Sequence, residues 1–263
     1  MKNDKWNPPA YELVAKSQYQ DGMKLIELVN PRDGENILEI GCGPGRHTIE
    51  LAKRTPTGFV FALDASPKMI DFAKKKIMET GIKNVKFLIQ DIQQIDIVSF
   101  FDVIFSSSVL HWIPDQENLL NLLKRALKKE GRLGIMICAK DSFHEGTIAA
   151  EKIISKIGLK KCYTNWIWPC LYPQKEEYEI LLKKVGFSNV KVELEEYEIW
   201  FKTGEEAITF HKESGLHSYL ANLSEREREK FLEEYRIELE LLKTPRGVKS
   251  TVKAIFATAG KGV

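Results

Sequence analysis

Several features that would place a protein quickly are missing from this chain. No stretch approaches the roughly 18 uninterrupted apolar residues of a membrane span, and the start, MKNDKWNPPA, is polar with no apolar segment of the signal-peptide kind. Net charge is almost absent: 39 Lys and Arg against 37 Asp and Glu leave +2, which argues against a broad nucleic-acid footprint. The four cysteines, Cys42, Cys138, Cys162 and Cys170, form no C-x-x-C pair able to grip zinc and no dense secreted framework. Internal repeats and low-complexity segments are lacking too. The expectation is a cytoplasmic protein with reduced thiols, no metal, and neither membrane nor nucleic acid as partner. What is present is 43% hydrophobic and 29% charged residues, enough to bury a sizeable core without staples.

The pattern along the chain is alternation. Residues 10–29 carry Leu13, Val14, Met23, Leu25, Ile26 and Val29 at helical spacings, which predicts one or two leading helices. NILEI (36–40) then runs into a glycine cluster, as a buried strand ending in a turn does. A helix over 46–54, a strand over 59–64 and a helix opened by Ser66-Pro67 and stopped by Gly81 follow. Strands over 85–89, 101–106 and 132–138 come next, the last two separated by the helical DQENLLNLLKRALKKEG. Such units join parallel strands by right-handed crossovers and put helices on both faces of an open sheet. Beyond Cys138 the alternation breaks. VKVELEEYEIWF (190–201) alternates at period two, as a long strand with its acidic side to water, and a final strand covers VKAIFATAG. The run EREREKFLEEYR reads as a solvated helix face with i, i+4 pairs. One domain over 1–263 is expected, with leading helices at 1–30, a core at 31–142, helical insertions at 143–172 and 203–246, and the rest of the core at 173–202 and 247–263.

Four elements at strand ends carry the chemistry. In ILEIGCGPGRHT (37–48), Gly41, Gly43 and Gly45 clear the strand end of side chains, so backbone and a helix start can approach a ligand. The dinucleotide pattern G-x-G-x-x-G would need a glycine where Arg46 stands. Glu39 adds a carboxylate where a positively charged ligand group is suited. Asp64 ends the next strand, where a ribose diol is held. Asp91 and Ile92, after the third strand, offer an acceptor for an adenine amino group and an apolar neighbour for its ring. FSSSVLHWIPD brings Ser106 and Ser107 to the sheet edge, with His111 and Trp112 just beyond.

In these motifs the sequence resembles the class I S-adenosylmethionine-dependent methyltransferases, over most of its length. The resemblance implies an α/β, Rossmann-like doubly wound fold with a mostly parallel sheet, an antiparallel last strand and helical lid insertions. It implies S-adenosyl-L-methionine as cofactor, with Glu39 near the methionine amino group and the glycines near its carboxylate end. Asp64 would hold the ribose hydroxyls, Ala65 and Ile92 would flank adenine, Asp91 would accept from its amino group, and Ser106 or Ser107 would line the methionine part. The leading helix, with Tyr11 and Gln18, resembles the segment that closes over the cofactor. The LHWIPD turn and the late insertions are also similar to trans-aconitate methyltransferases and malonyl-carrier-protein methyl ester synthases, which methylate a carboxylate oxygen.

A methyl ester on a small or carrier-bound carboxylic acid is therefore the expected product, made by a monomer or weak dimer. A carboxylate is already ionised at neutral pH and needs positioning rather than a base. Groups to hold it are sought among Arg46, His111, Trp112, Tyr163, Trp166, Trp168, Tyr172, His211, His217 and Tyr219. His111, the candidate catalytic residue, stands between a site role and a bond to its own loop, and Trp166 and Trp168 between recognition and core. Cys42 reads as a small residue in a tight turn rather than a reactive thiol. Other readings are a different oxygen, nitrogen or carbon acceptor with His111 as base, a nicotinamide dehydrogenase, and a cofactor-binding module without turnover.

Overall fold

The computed structural model describes residues 6–262; residues 1–5 and Val263, the outermost parts of the leading and closing segments, lie outside them. Asn7 opens α1 (Pro8–Val14), its side chain accepting from the Ala10 N–H at 3.3 Å while Pro8 sits where no N–H is needed. The chain breaks at Ala15 and continues as α2 (Lys16–Val29). Then come β1 (Asn36–Ile40), α3 (Arg46–Arg54), β2 (Phe59–Asp64), α4 (Pro67–Thr80), β3 (Val85–Ile89), β4 (Phe101–Ser107), α5 (Gln116–Ala126) and β5 (Leu127–Cys138). The later part holds α6 (His144–Lys156), α7 (Lys175–Val185), β6 (Ser188–Phe201), α8 (Gly204–His211), α9 (His217–Leu220), α10 (Glu225–Leu241) and β7 (Val248–Gly260). The Ser66 hydroxyl caps α4 by accepting from the Met69 N–H at 3.1 Å, and Gly81 ends that helix in the left-handed region.

The seven strands form one sheet in the order β3-β2-β1-β4-β5-β7-β6. The first four neighbouring pairs are parallel, and β7 runs antiparallel to both β5 and β6. Successive strand residues point to opposite faces, so Ile37, Val103 and Phe105 pack under α2 and α3 while Leu38, Ile40 and Ile104 pack under α5 and α7. A third cluster joins the two insertions: Ala149, Ala150 and Ile153 of α6 meet Phe210 of α8 and Phe231, Tyr235 and Leu239 of α10. It sits on the last strands through Phe201 and Val248, above the carboxyl ends of the parallel strands. Among the described residues no helix is long and apolar enough to cross a membrane, and no group of three His, Cys, Asp or Glu could hold a metal ion.

Three local expectations are corrected. The helix after LHWIPD stops at Ala126 instead of running to Gly131, because Leu127 is fully buried and pairs with Phe101 in the sheet, and Glu130 takes φ +66° in a bulge. The acidic residues of β6 lie on both faces, not one: Glu196 and Glu198 share a face with Val192, whereas Glu193 and Glu195 share the face of Tyr197, Ile199 and Phe201. Glu195 is ion-paired with Lys24 of α2. The acidic residues of α10 reach across to α6, in the pairs Lys156–Glu234 at 2.6 Å and Lys152–Glu238. Burial of Phe231, Tyr235 and Leu239 makes that helix half-buried rather than merely solvated.

Candidate active site

The crevice opens where the connections from neighbouring strands part: the chain leaves β1 toward β2 and leaves β4 toward β5. The strand-end turn after β1 needs glycine for two reasons. Gly41 has φ +70°, and a Cβ added there would lie 2.2 Å from a methyl of Val109. Gly43, with φ +52°, is different, since an added Cβ would meet nothing within 4 Å among the described residues and would project into open space. The Gly41 and Cys42 N–H groups both donate to the Leu63 carbonyl, at 2.7 and 3.0 Å, and the Gly43 N–H donates to Asp64 at 2.9 Å. The turn is thus locked to the end of β2, and its amides hold the protein rather than standing ready for a ligand. Gly45 begins α3 with φ +82°, against Ala73 of α4, and serves packing.

Beside that turn lies a cavity of about 280 Å³, walled by Gly41, Gly43, Asp64, Ala65, Asp91 and Ile92 from the first three strand ends. Trp6, Tyr11, Ser108, Val109 and Trp112 close it from the other side. Asp64 is held rigidly, one carboxylate oxygen accepting from Gly43 and the other from the Ser66 N–H at 2.8 Å. Asp91 accepts from the Gln93 N–H at 2.9 Å, which caps the short turn bearing Ile92. Two fixed carboxylates, apolar walls and the side-chain-free space at Gly43 fit a nucleoside with a diol and an amino-bearing ring. Gln18 does not line this cavity but a cleft beside it, together with Tyr11, Gly41, Gly43, Arg46 and Ser107.

Two expected residues, Glu39 and Ser106, sit elsewhere. Glu39 is 1% exposed in the middle of the sheet, between Ala62 and Phe105, and accepts from the Thr48 hydroxyl at 2.6 Å. Burial pushes its carboxyl up to about 8 against that hydrogen bond, with Asp64 adding to the rise. It lies beneath the glycine turn, outside these cavities. Ser106 is fully buried and donates to the Ile40 carbonyl at 3.1 Å, which stitches β4 to β1. Ser108, two residues on with φ +62°, takes its place in the cavity wall. Ser107 is half-buried and its hydroxyl, which has no hydrogen-bond partner among the described residues, lies in the cleft beside Gln18. Cys42 is buried and its thiol is pushed well up by burial, so it is not a nucleophile.

A smaller space, about 40 Å³, adjoins the large cavity and shares Trp6, Tyr11, Ser108 and Trp112 with it. Gln18, Asp21, His111, Tyr197 and Glu213 also face it. His111 is 4% exposed, its Nδ1 has no hydrogen-bond partner among the described residues, and burial lowers its imidazole to about 3. It is therefore neutral near pH 7, which removes it as a cation for an acid, and it binds a proton too weakly to serve as a base there. Burial raises Asp21 to about 6, opposed by the hydrogen bond donated by Tyr197 at 2.5 Å. Burial also raises Glu213, which accepts from the Asn7 N–H.

Aromatic and ionic contacts close the lid. The Trp112 ring stacks on His217 at 5.2 Å, and Trp6 stands edge-on to both rings. Arg46 is not free for an acid: Nε pairs with the Glu12 carboxylate at 2.9 Å, and the guanidinium donates to the carbonyls of Glu12 and Ala15. Lys76 of α4 pairs with the same carboxylate. This cluster pins α1 over the glycine turn. Tyr163 and Trp166 pack into the insertion core, whereas Trp168, Tyr172, His211 and Tyr219 line a third space of about 40 Å³. Trp6, Asp21, Ser108, Tyr197 and Glu213 are among the residues that sequence reasoning missed.

A methyltransferase domain family model matches residues 31–186, more than half of the chain. Trans-aconitate 2-methyltransferase of Enterobacter sp. (strain 638) is 27% identical over 230 residues, covering 88% of this chain and 86% of that protein. Malonyl-[acyl-carrier protein] O-methyltransferase of Acetivibrio thermocellus is 28% identical over 269 residues, covering 97% and 90%. Phosphoethanolamine N-methyltransferase 2 of Haemonchus contortus, solved with S-adenosyl-L-methionine, superposes with a TM-score of 0.62 at 18% identity, over 97% of this chain and 57% of that one. At that identity the likeness is one of fold.

Proposed function

The chain belongs to the methyltransferase domain family and is an S-adenosylmethionine-dependent methyltransferase, and on that premise we propose that it esterifies a carboxylic acid, small or carrier-bound. The two relatives matched by sequence are named for acceptors that carry carboxyl groups. Asp64 holds the ribose hydroxyls, Asp91 takes the adenine amino group, and Ala65 and Ile92 cover the ring. Gly41, Gly43 and Ser107 flank the methionine part, which reaches the cleft at Gln18. When bound, the cofactor supplies a methyl group on a positively charged sulfur, and transfer to a carboxylate forms one C–O bond as one C–S bond breaks, with no proton to move.

The observation that carries this reading is His111, a neutral imidazole whose Nδ1 has no hydrogen-bond partner among the described residues, in the wall of the smaller space, taken here as the acceptor space. Such a group hydrogen-bonds an oxygen that is already ionised. It does not take a proton away. Gln18 and Trp112 bring further neutral donors to the same space, and the aromatic lid keeps out water that would solvate the carboxylate.

A second reading, transfer to an amine, is favoured by the carboxylates of Asp21 and Glu213 in the same wall. The two readings separate by pH. With an acid, kcat is expected to change less than about threefold between roughly pH 7 and 9, because acceptor and His111 keep their protonation states. An amine must lose its proton first, so a rise approaching about tenfold per pH unit would select that reading.

A further inference from the structure

The charge and polarity of the acceptor space are unlike those needed for a polyanion. Asp21 and Glu213 both face it, and among the described residues no Lys or Arg lines it. Lys24, one turn from Asp21 on α2, is committed to Glu195. The space continues, through the shared residues Phe143 and Ser214, into the one walled by Trp168, Tyr172, Leu216, Tyr219 and Tyr235. His211 and Tyr235, polar residues of that second wall, are paired. His211 bonds Ser250 at 2.7 Å through Nε2 and the Tyr235 hydroxyl at 2.9 Å through Nδ1, and that hydroxyl is also 3.2 Å from the Gly146 carbonyl. Burial holds His211 neutral, at about 4. The aromatic rings and Leu216 of that wall are left for the body of the acceptor.

We propose that the acceptor is an acid with a single carboxylate, held by the neutral donors His111, Gln18 and Trp112, on an apolar body, and that Asp21 and Glu213, whose like charge makes every carboxylate in this space costly, reject molecules bearing a second one. The proposal rests on the ester-forming reading and narrows it. A hydrophobic pocket takes the body, and like charge against Asp21 and Glu213 supplies the discrimination. Each of the two spaces is only about 40 Å³, so an acyl chain enters by parting the side chains at Phe143 and Ser214 that divide them.

The test uses octanoate, hexylmalonate, which adds one carboxylate to the same eight-carbon chain, and phenethylamine, each at about 1 mM and roughly pH 8, above the Asp21 value of about 6. Wild-type enzyme is expected to favour octanoate over hexylmalonate by about 100-fold in kcat/KM, and the Asp21→Asn, Glu213→Gln double variant to narrow that ratio about tenfold. S-adenosylhomocysteine must still raise the variant's unfolding temperature, which shows that it folds. Equal or better use of hexylmalonate by the wild type overturns the substrate class and leaves ester formation standing. A ratio unchanged in the variant overturns the roles of Asp21 and Glu213. Failure to methylate octanoate overturns the proposal, and methylation of phenethylamine in its place overturns the ester-forming reading with it.

Discussion

Asp64→Ala is expected to weaken S-adenosylhomocysteine binding by about 2 to 4 kcal/mol, or roughly 30- to 800-fold. Two hydroxyl hydrogen bonds to a fixed carboxylate account for most of that loss. The rest comes from the protein, because Asp64 also accepts the Gly43 N–H and the Ser66 N–H, so alanine releases the glycine turn from the end of β2. Titration calorimetry reads the effect directly. Asp64→Asn, which keeps an acceptor oxygen and the volume but not the charge, should fall between the two. An affinity within about twofold of wild type for the alanine variant would move the nucleoside site elsewhere.

Gly41→Ala is expected to lower the stability of the fold itself, by about 2 to 4 kcal/mol in denaturant unfolding. Two separable costs combine there. A residue with a side chain at φ +70° is strained wherever it stands, and the new Cβ would lie 2.2 Å from Val109. Removing the obstacle with Val109→Ala should restore the steric part, so the double variant loses less than the sum of the single variants. Additivity, or a single-variant cost below about 0.5 kcal/mol, would mean that the turn does not pack on Val109 as described.

What could be read in the chain follows the range of the forces concerned. The run from β1 through the glycine turn into α3 was legible because an apolar strand, three glycines and an amphipathic helix are all local patterns. Asp64 and Asp91 followed from it, since each stands at or just beyond the end of the next strand of a regular series. Ser106 shows the limit: in a serine triplet, period-two alternation cannot tell where the strand releases the chain, and the positive φ that does so at Ser108 depends on the sheet around it. The partners of Arg46 and of the α10 carboxylates were out of reach for another reason, as Glu12 is 34 residues before Arg46 and Glu234 is 78 beyond Lys156. Asp21 did leave a trace, because Gln18, Asp21 and Leu25 recur at helical spacing on the face of α2 that turns inward. Burial of the imidazole at position 111 left none. A histidine in a turn of LHW reads equally as base, ligand or packing until the residues around it are known.

The methyl group is expected to end on a carboxylate oxygen, and the chemical stability of the product decides it. The enzyme is incubated with S-adenosylmethionine carrying a tritiated methyl group and a pool of monocarboxylic acids and amines, and the product is then exposed to mild base. An ester releases its label as volatile methanol, and that is the predicted result. Label that stays in a base-stable, non-volatile product would contradict the account and place the methyl group on nitrogen or carbon.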